Sequence, residues 1–97
     1  MLFEPATIEW FDKMRGEGLV RLVRQNEKSV YLHFTSIRGV SVNNSHLPTL
    51  EIDNSHRPTL EDQDLLSGIK GRSCQVSIAY DRYRTYVCTC KIDWSER

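Results

Sequence analysis

The sequence lacks the features that mark several large classes of protein. No apolar run approaches the roughly 20 residues needed to cross a bilayer, so we expect no membrane association. Residues 1–5 carry neither the basic stretch nor the apolar core of a secretory signal, and we therefore expect a cytoplasmic protein. The three cysteines are an odd count, which argues against a disulfide framework.

Net charge is absent as well. Thirteen Lys and Arg residues balance thirteen Asp and Glu residues, so the formal net charge is zero. This balance excludes a polycation that binds nucleic acid through bulk charge, and it equally excludes an acidic mimic of DNA. The charge is nevertheless uneven: residues 13–28 hold five basic side chains against two acidic ones, whereas residues 51–64 hold one against five. A local basic surface is therefore compatible with the zero sum.

The residues that are present fit one small domain. With 97 residues, of which 39% are hydrophobic, the chain can bury one modest core, and we expect a single domain over residues 1–97. Five segments combine β-branched and aromatic residues and are separated by polar turns or loops. These predicted strands are residues 7–11, 19–23, 29–34, Ser73–Tyr80 and Thr85–Ile92.

Three predicted strands precede a long connection and two follow it. This spacing favours an all-β fold, a five-stranded antiparallel Greek-key barrel with an inserted loop at about residues 38–70. Inside the loop, residues 44–51 and 54–61 match at seven of eight positions, which a local duplication that lengthened the loop explains. Thr59 and Asp62 have the spacing of a capping box and predict a short helix through residues 62–67, ended by Gly68.

No cysteine or histidine group has the spacing of a known metal site. Cys88 and Cys90 are separated by one residue, which does not fit a zinc knuckle. Strand alternation predicts that they face the same side with Tyr86 and Ile92, as small buried thiols, and a redox or metal role is the alternative. His46 and His56, with Asp53 between them, could ligate a metal, but the duplication explains their spacing without one. We expect no metal and no cofactor.

Two segments resemble the signatures of the cold-shock domain family. Residues 10–20 read WFDKMRGEGLV and residues 30–34 read VYLHF, where the family has roughly KWFNxxKGFGFI and VFVHF. Residues 71–78 also resemble the entry to the family's fourth strand. The family folds as a five-stranded barrel of the OB type and binds single-stranded RNA and DNA. The resemblance therefore implies that fold and that class of ligand.

The resemblance also implies which side chains bind. Aromatic side chains on such a sheet stack on bases, at about 1–3 kcal/mol per base. The positions that match the family's stacking residues are Trp10, Phe11, Tyr31, His33 and Phe34. Arg15 matches a residue that contacts phosphate, and we expect Lys13, two positions before it, to hold phosphate as well.

Two further considerations concern where these side chains lie. Because Trp10 and Phe11 are adjacent on one strand, they must point to opposite sides unless a bulge intervenes, and we expect Phe11 to be the partly buried one. The turn at residues 81–84 adds a second group, in which Arg82, Tyr83 and Arg84 could hold phosphate and stack a base. The alternative for that group is an ordinary solvated hairpin turn.

The sequence departs from the family pattern in the first signature. Glu17 and Leu19 occupy two positions where the family has Phe, and Glu9 stands where a Lys usually precedes the Trp. Two lost stacking contacts weaken binding by about 30-fold to over 10,000-fold unless other contacts compensate. The departures therefore bear on affinity more than on fold.

The function predicted from these residues is single-stranded nucleic-acid binding, as an RNA chaperone or regulator. Residues 16–18 lack the lysine and the following helix of a phosphate-binding loop, and no nucleophile stands with a base and an acid, so we expect no enzyme. The alternative is a protein-interaction module, an inhibitor or adaptor that uses the diverged barrel face and the acidic inserted loop. Oligomeric state and the choice between RNA and DNA stay open.

Overall fold

The computed structural model describes residues 2–38 and 57–94. In these residues the chain forms five strands, a 3-10 turn and one short helix. The strands are β1 (Glu4–Asp12), β2 (Glu17–Leu22), β3 (Lys28–His33), β4 (Ser73–Tyr80) and β5 (Thr85–Ile92). The 3-10 turn (Phe34–Ser36) follows β3, and α1 (Leu60–Leu66) precedes β4. Neither helical segment in the described part of the chain is long and apolar enough to span a membrane.

The five strands close into a barrel in the order β1-β2-β3-β5-β4, with β4 pairing back to β1. Four of the pairings are antiparallel, but β3 and β5 run parallel where Tyr31 meets Tyr86. The expectation of an antiparallel barrel is therefore wrong at this one seam. An odd number of strands that alternate in direction cannot close into a ring without one parallel pair, so closure itself requires the exception.

The inward-facing residues of all five strands form one apolar core. Phe34 is the largest fully buried side chain, and Leu66 of α1 and Ile69 close the core from the segment between β3 and β4. Each such side chain contributes about 1.5–3 kcal/mol through burial. The strand members of the core are Ala6, Ile8, Val20, Leu22, Val30, Leu32, Cys74, Val76, Val87, Cys90 and Ile92.

A β-bulge in β1 decides which way the two adjacent aromatic residues point. Ile8 pairs with Val20 but Trp10 pairs with Leu19, so β1 has one extra residue between them. The bulge changes the phase of the alternation, because without it Ile8 and Phe11 would face opposite sides. Phe11 instead packs against the same core as Ile8, and Trp10 is exposed. The prediction that Phe11 is the partly buried one is confirmed.

A second bulge, in β5, overturns the predicted placement of the cysteines. Ser77 pairs with Thr89 and Ile78 with Val87, which leaves Cys88 as the extra residue. Val87 and Cys90 therefore both enter the core, whereas Cys88 is only partly buried. The prediction that Cys88 and Cys90 share a face is wrong because strict alternation fails at the bulge. All three thiols are free, and the hydrogen bond with Cys74, together with burial, raises the pKa of Cys90.

The predicted helix and its cap are present. Thr59 Oγ1 accepts from the Asp62 N–H, and Asp62 Oδ2 accepts from the Thr59 N–H, each at 3.1 Å, so the capping box is complete. The helix starts at Leu60, two residues before the predicted start, and Gly68 follows it at φ +81°. The first repeat copy lies outside the described residues, as do His46, Asp53 and His56, the candidate metal ligands.

Gly16, in the turn before β2, and Gly18, near the start of β2, stand where a side chain cannot fit. Gly16 has φ +76°, and a Cβ there would lie 2.6 Å from Cδ1 of Phe34. At Gly18 a Cβ would overlap the carbonyl oxygen of Trp10 and lie 2.7 Å from Cδ1 of Phe11. The bulged strand β1 thus approaches β2 too closely for any residue but glycine.

Gly18→Ala tests this close approach. The added methyl group must push β1 away from β2, and we expect a loss of about 1–3 kcal/mol in the free energy of unfolding, measured by denaturant titration. Gly71→Ala is the matched control, since Gly71 has φ +87° but open space around it, so only backbone strain of about 1–2 kcal/mol arises. A cost at Gly18 well below that at Gly71 would contradict the steric account.

Thr59→Ala tests the capping box. The change leaves the Asp62 N–H without its side-chain acceptor, and we expect unfolding to become easier by about 0.5–2 kcal/mol. Thr59→Ser retains the hydroxyl group and serves as the control, with near-parental stability in the same thermal or denaturant melt. Equal destabilisation by both variants would show that the hydroxyl group does not carry the effect.

Candidate nucleic-acid interface

An apolar row crosses the outer face of the first three strands. Trp10 pairs with Leu19, and Leu19 pairs with Tyr31, so the three side chains lie side by side on β1, β2 and β3. Trp10 is 42% exposed, and Leu19 and Tyr31 are half-buried. Two strand spacings separate the two rings by about 10 Å. We call Trp10, Leu19 and Tyr31 the aromatic row.

The structure buries two of the residues expected to stack. Phe34 is fully buried in the core and packs beneath Gly16, whose carbonyl oxygen accepts from the Phe34 N–H at 2.8 Å. His33 is 4% exposed, with its ring 4.9 Å from the Phe34 ring. Its Nδ1 accepts from the Thr35 N–H at 3.3 Å and so caps the 3-10 turn. The expectation that both rings face a base is corrected, because they complete the core and the turn after β3.

Phe11 is likewise turned away from the aromatic row. It packs on the core beside Gly18 and is only partly accessible. Of the five predicted stacking residues, Trp10 and Tyr31 therefore present a ring to the outer face. The bulge in β1 and the burial of the end of β3 decide which aromatic rings face outward. Residue type alone does not decide this.

Tyr31 is tied to a carboxylate. Its hydroxyl group donates to Glu17 Oε1 at 3.2 Å, and Glu17 lies across the strand pair from His33. Burial, together with the negative charge and the hydrogen bond of Glu17, raises the pKa of Tyr31 to about 12, while Arg84 and Arg15 oppose the shift. The phenol is thus held neutral as a hydrogen-bond donor to Glu17.

Two arginines from different turns flank Tyr31. Arg15, from the turn between β1 and β2, has Nη2 at 3.1 Å from Glu17 Oε2. Arg84, from the turn between β4 and β5, places its guanidinium carbon 5.9 Å from the Tyr31 ring centroid and 5.2 Å from that of Tyr86. Both distances are within the range of a cation–π contact. The fold thus brings one predicted phosphate-binding residue, Arg84, to the Tyr31 ring and the other, Arg15, to the carboxylate that binds the Tyr31 hydroxyl group.

The turn between β4 and β5 is held by Asp81. Its Oδ1 accepts from the N–H groups of Tyr83 at 2.7 Å and Arg84 at 2.8 Å, and its N–H donates to the Arg84 carbonyl at 3.0 Å. Tyr83 at the tip is 86% exposed, and Arg82 beside it is also exposed. The predicted polar turn is present, with Arg84 over Tyr31 and the other two side chains at the tip.

Tyr80 is an exposed aromatic residue that the sequence did not single out. Alternation along β4 places it with Val76 and Ile78, which predicts burial. The structure leaves it 69% exposed, because the pairing of β4 with β1 extends from Ser73 to Val76 and residues beyond it pair with β5. The hairpin therefore projects from the barrel and carries both Tyr80 and Tyr83.

Acidic groups neutralise much of the nearby positive charge. Arg15 pairs with Glu17, Arg21 with Glu27 at 2.8 Å, and Arg84 with Asp81 at 3.9 Å. Exposed pairs of this kind contribute about 0–1 kcal/mol, so a phosphate group can replace the carboxylate at little cost. Lys13 is exposed in the same turn as Arg15.

In residues 2–38 and 57–94, no three His, Cys, Asp or Glu side chains lie close enough together to hold a metal ion.

Comparison with known proteins assigns no family. No protein-family model matches the chain, and no curated protein matches it.

The titration of Tyr31 tests the contact with Glu17. Glu17→Gln removes the negative charge that opposes ionisation, so we expect the Tyr31 pKa to fall from about 12 toward 10.0. Because the folded pKa lies above the unfolded one, the linked stability is present below pH 10 and is lost as pH rises toward 12. Phenolate absorbance, with Tyr31→Phe to assign the signal, measures the shift.

Glu9→Gln is the matched control for this titration. Glu9 lies on the same face but accepts from Ser29 Oγ at 2.6 Å, so its loss should leave the Tyr31 titration unchanged. An equal shift in both variants would mean that general charge, not the contact with Glu17, sets the pKa.

Proposed function

We propose that this chain is a single-stranded nucleic-acid-binding protein of the cold-shock type, acting as an RNA chaperone or regulator. It binds through the aromatic row and the two turns beside it, and it uses no cofactor. The barrel is in this proposal a Greek-key barrel of the OB type.

The strand order supports the OB-type assignment. OB barrels bind oligonucleotides on the face of strands 2 and 3 and through the loops between strands 1 and 2 and between strands 4 and 5. In this chain the face of β2 and β3 carries Leu19 and Tyr31. The turn between β1 and β2 carries Arg15, and the turn between β4 and β5 carries Arg84. The resemblance of residues 10–20 and 30–34 to the cold-shock signatures points to the same face.

The observation that carries the proposal is the placement of cations around Tyr31. Trp10 and Tyr31 offer stacking surfaces, and Arg15 and Arg84 reach Tyr31 or its carboxylate partner from opposite turns. A base that stacks on Tyr31 leaves its phosphates near these guanidinium groups. Stacking then supplies about 1–3 kcal/mol per base, and the exposed Arg15 side chain exchanges the Glu17 carboxylate for phosphate.

Two rings are fewer than the family pattern implies. Leu19 is aliphatic, and His33 and Phe34 are buried, so affinity depends on Trp10 and Tyr31 with support from Tyr83 and the cations. We therefore expect binding that is weaker than for a full set of aromatic residues, with modest dependence on salt because few phosphates are neutralised.

A protein-interaction module is the second candidate function. The projecting hairpin exposes Tyr80 and Tyr83, and tyrosine is enriched at the centres of protein interfaces. The local neutralisation of Arg15 and Arg84 also suits a protein surface. In this case the diverged face and hairpin would bind a protein as an inhibitor or adaptor.

Trp10→Ala and Tyr31→Ala test nucleic-acid binding. Each removes one stacking surface, and we expect each to weaken the binding of short single-stranded RNA or DNA by about 5- to 150-fold. The affinity is measured by fluorescence anisotropy of a labelled oligonucleotide at low salt.

Trp94→Ala is the matched control, because Trp94 is also 42% exposed but follows β5 and is not part of the aromatic row. It should leave the affinity unchanged. If the parental protein binds no oligonucleotide at tens of micromolar, the proposal fails. A protein partner that stays bound after nuclease treatment and is lost in a Tyr80→Ala, Tyr83→Ala double variant would then favour the second function.

A further inference from the structure

The carboxylate of Glu17 lies in the middle of the candidate interface. Its two oxygens contact the Tyr31 hydroxyl group at 3.2 Å and Arg15 at 3.1 Å, and its side chain is 29% exposed. At this place a nucleic-acid-binding surface would ordinarily avoid negative charge. We propose that Glu17 selects the base that stacks on Tyr31 and favours guanine over uracil and thymine, an inference that rests on the proposed function.

The position of Glu17 is fixed by its partners. The Tyr31 hydroxyl group is at the end of the ring, so the carboxylate stands at the ring's edge and not over its face. A base that stacks on the ring lies in van der Waals contact with it, and one edge of the base then passes beside the carboxylate. The pairing of Glu17 with His33 across the strands keeps the backbone at this position in a regular ladder.

The carboxylate retains acceptor capacity in this arrangement. An ionised carboxylate has about four lone-pair positions, and the Tyr31 hydroxyl group and Arg15 each occupy one. Arg15 has a side chain that is 67% exposed, so its contact with Glu17 is weak and exchangeable. When Arg15 turns to a phosphate group, Glu17 gains a further free acceptor beside the bound base.

The chemistry of the bases decides which one this acceptor favours. Single-stranded bases are recognised through hydrogen bonds to their Watson–Crick edges. Guanine presents two adjacent donors there, N1–H and the 2-amino group, which match the two oxygens of a carboxylate. Adenine and cytosine present one amino group beside a ring acceptor. Uracil and thymine present one N–H between two carbonyl oxygens, which a carboxylate repels.

The negative charge of Glu17 makes the selection between bases stronger than it would be with a neutral acceptor. A carboxylate near phosphates is unfavourable unless its charge is satisfied, and charge-assisted hydrogen bonds are roughly twice as strong as neutral ones. Guanine satisfies both oxygens, whereas uracil offers one N–H to one oxygen and sets a carbonyl oxygen against the other. Glu17 therefore acts on specificity by disfavouring the wrong base as well as by binding the right one.

The experiment compares short RNAs that differ at one base. A uracil-only RNA is the reference, and guanine, hypoxanthine or adenine is substituted at successive positions. We expect the best guanine-containing RNA to bind about 5- to 150-fold more tightly than the reference, as for a bidentate contact to a base. Hypoxanthine lacks the 2-amino group and should fall between guanine and uracil.

Two variants separate base selection from stacking. Glu17→Gln keeps the side-chain length and an acceptor for Tyr31 but loses the charge, so the guanine preference should disappear and uracil RNA should bind more tightly. Tyr31→Phe keeps the ring and removes the hydroxyl group that holds Glu17, so the preference should shrink while binding to uracil RNA persists. Glu9→Gln, the same charge change on the same face, should retain the preference.

The outcomes distinguish base selection by Glu17 from the nucleic-acid binding on which it rests. Equal binding of all four RNAs, or a guanine preference that survives in Glu17→Gln, overturns base selection and leaves nucleic-acid binding standing. If no RNA and no DNA binds the parental protein, the proposed function fails and base selection fails with it.

Discussion

The close approach of Gly18 to the bulged strand β1 is the constraint on which the candidate face depends. The extra residue in β1 reverses the alternation, so that Phe11 joins the core beside Ile8 and Trp10 stays outside. This arrangement brings the Trp10 carbonyl and the Phe11 ring against Gly18, where any Cβ would overlap them. A residue without a side chain at position 18 thus permits the bulge, and the bulge orients the exposed tryptophan.

The second organising feature is the carboxylate of Glu17. It occupies a position that the cold-shock signature gives to an aromatic residue, and it ties together Tyr31 and Arg15 from neighbouring elements. A carboxylate at this position offers no stacking surface, but it positions a ring and a cation. If the chain binds single strands, this is where its base preference would differ from that of a surface built from aromatic residues alone.

Much of the fold was predictable because local patterns dominate it. The bounds of β4 and β5 agree with the prediction, and the Thr59–Asp62 capping box forms as its spacing indicates. The strand β1 extends three residues further toward the N-terminus than predicted, because Glu4 and Pro5 pair with β4. The parallel seam between β3 and β5 was missed, since closure of an odd-numbered barrel is a property of all five strands together.

The candidate site was predictable in its residue types and less so in its geometry. The sequence predicts that Trp10, Tyr31, Arg15 and Arg84 belong together, and the barrel brings them to one face. Alternation in β3 places Phe34 on the side of Val30 and Leu32, which is the core side, but it does not predict that His33 is buried or that Tyr80 is exposed. Both depend on what packs against the end of a strand, and single-sequence periodicity carries no information on that point.

The sequence by itself determined the strands, the short helix, the glycine pair and the chemical inventory of the face. These follow from near-neighbour rules: alternation, capping and turn residues act over a few positions. Only the tertiary structure decided which aromatic rings are available, which cations are neutralised and how the barrel closes. The physical reason is that bulges, burial and ion pairs depend on residues that are distant in sequence and meet only when the barrel forms.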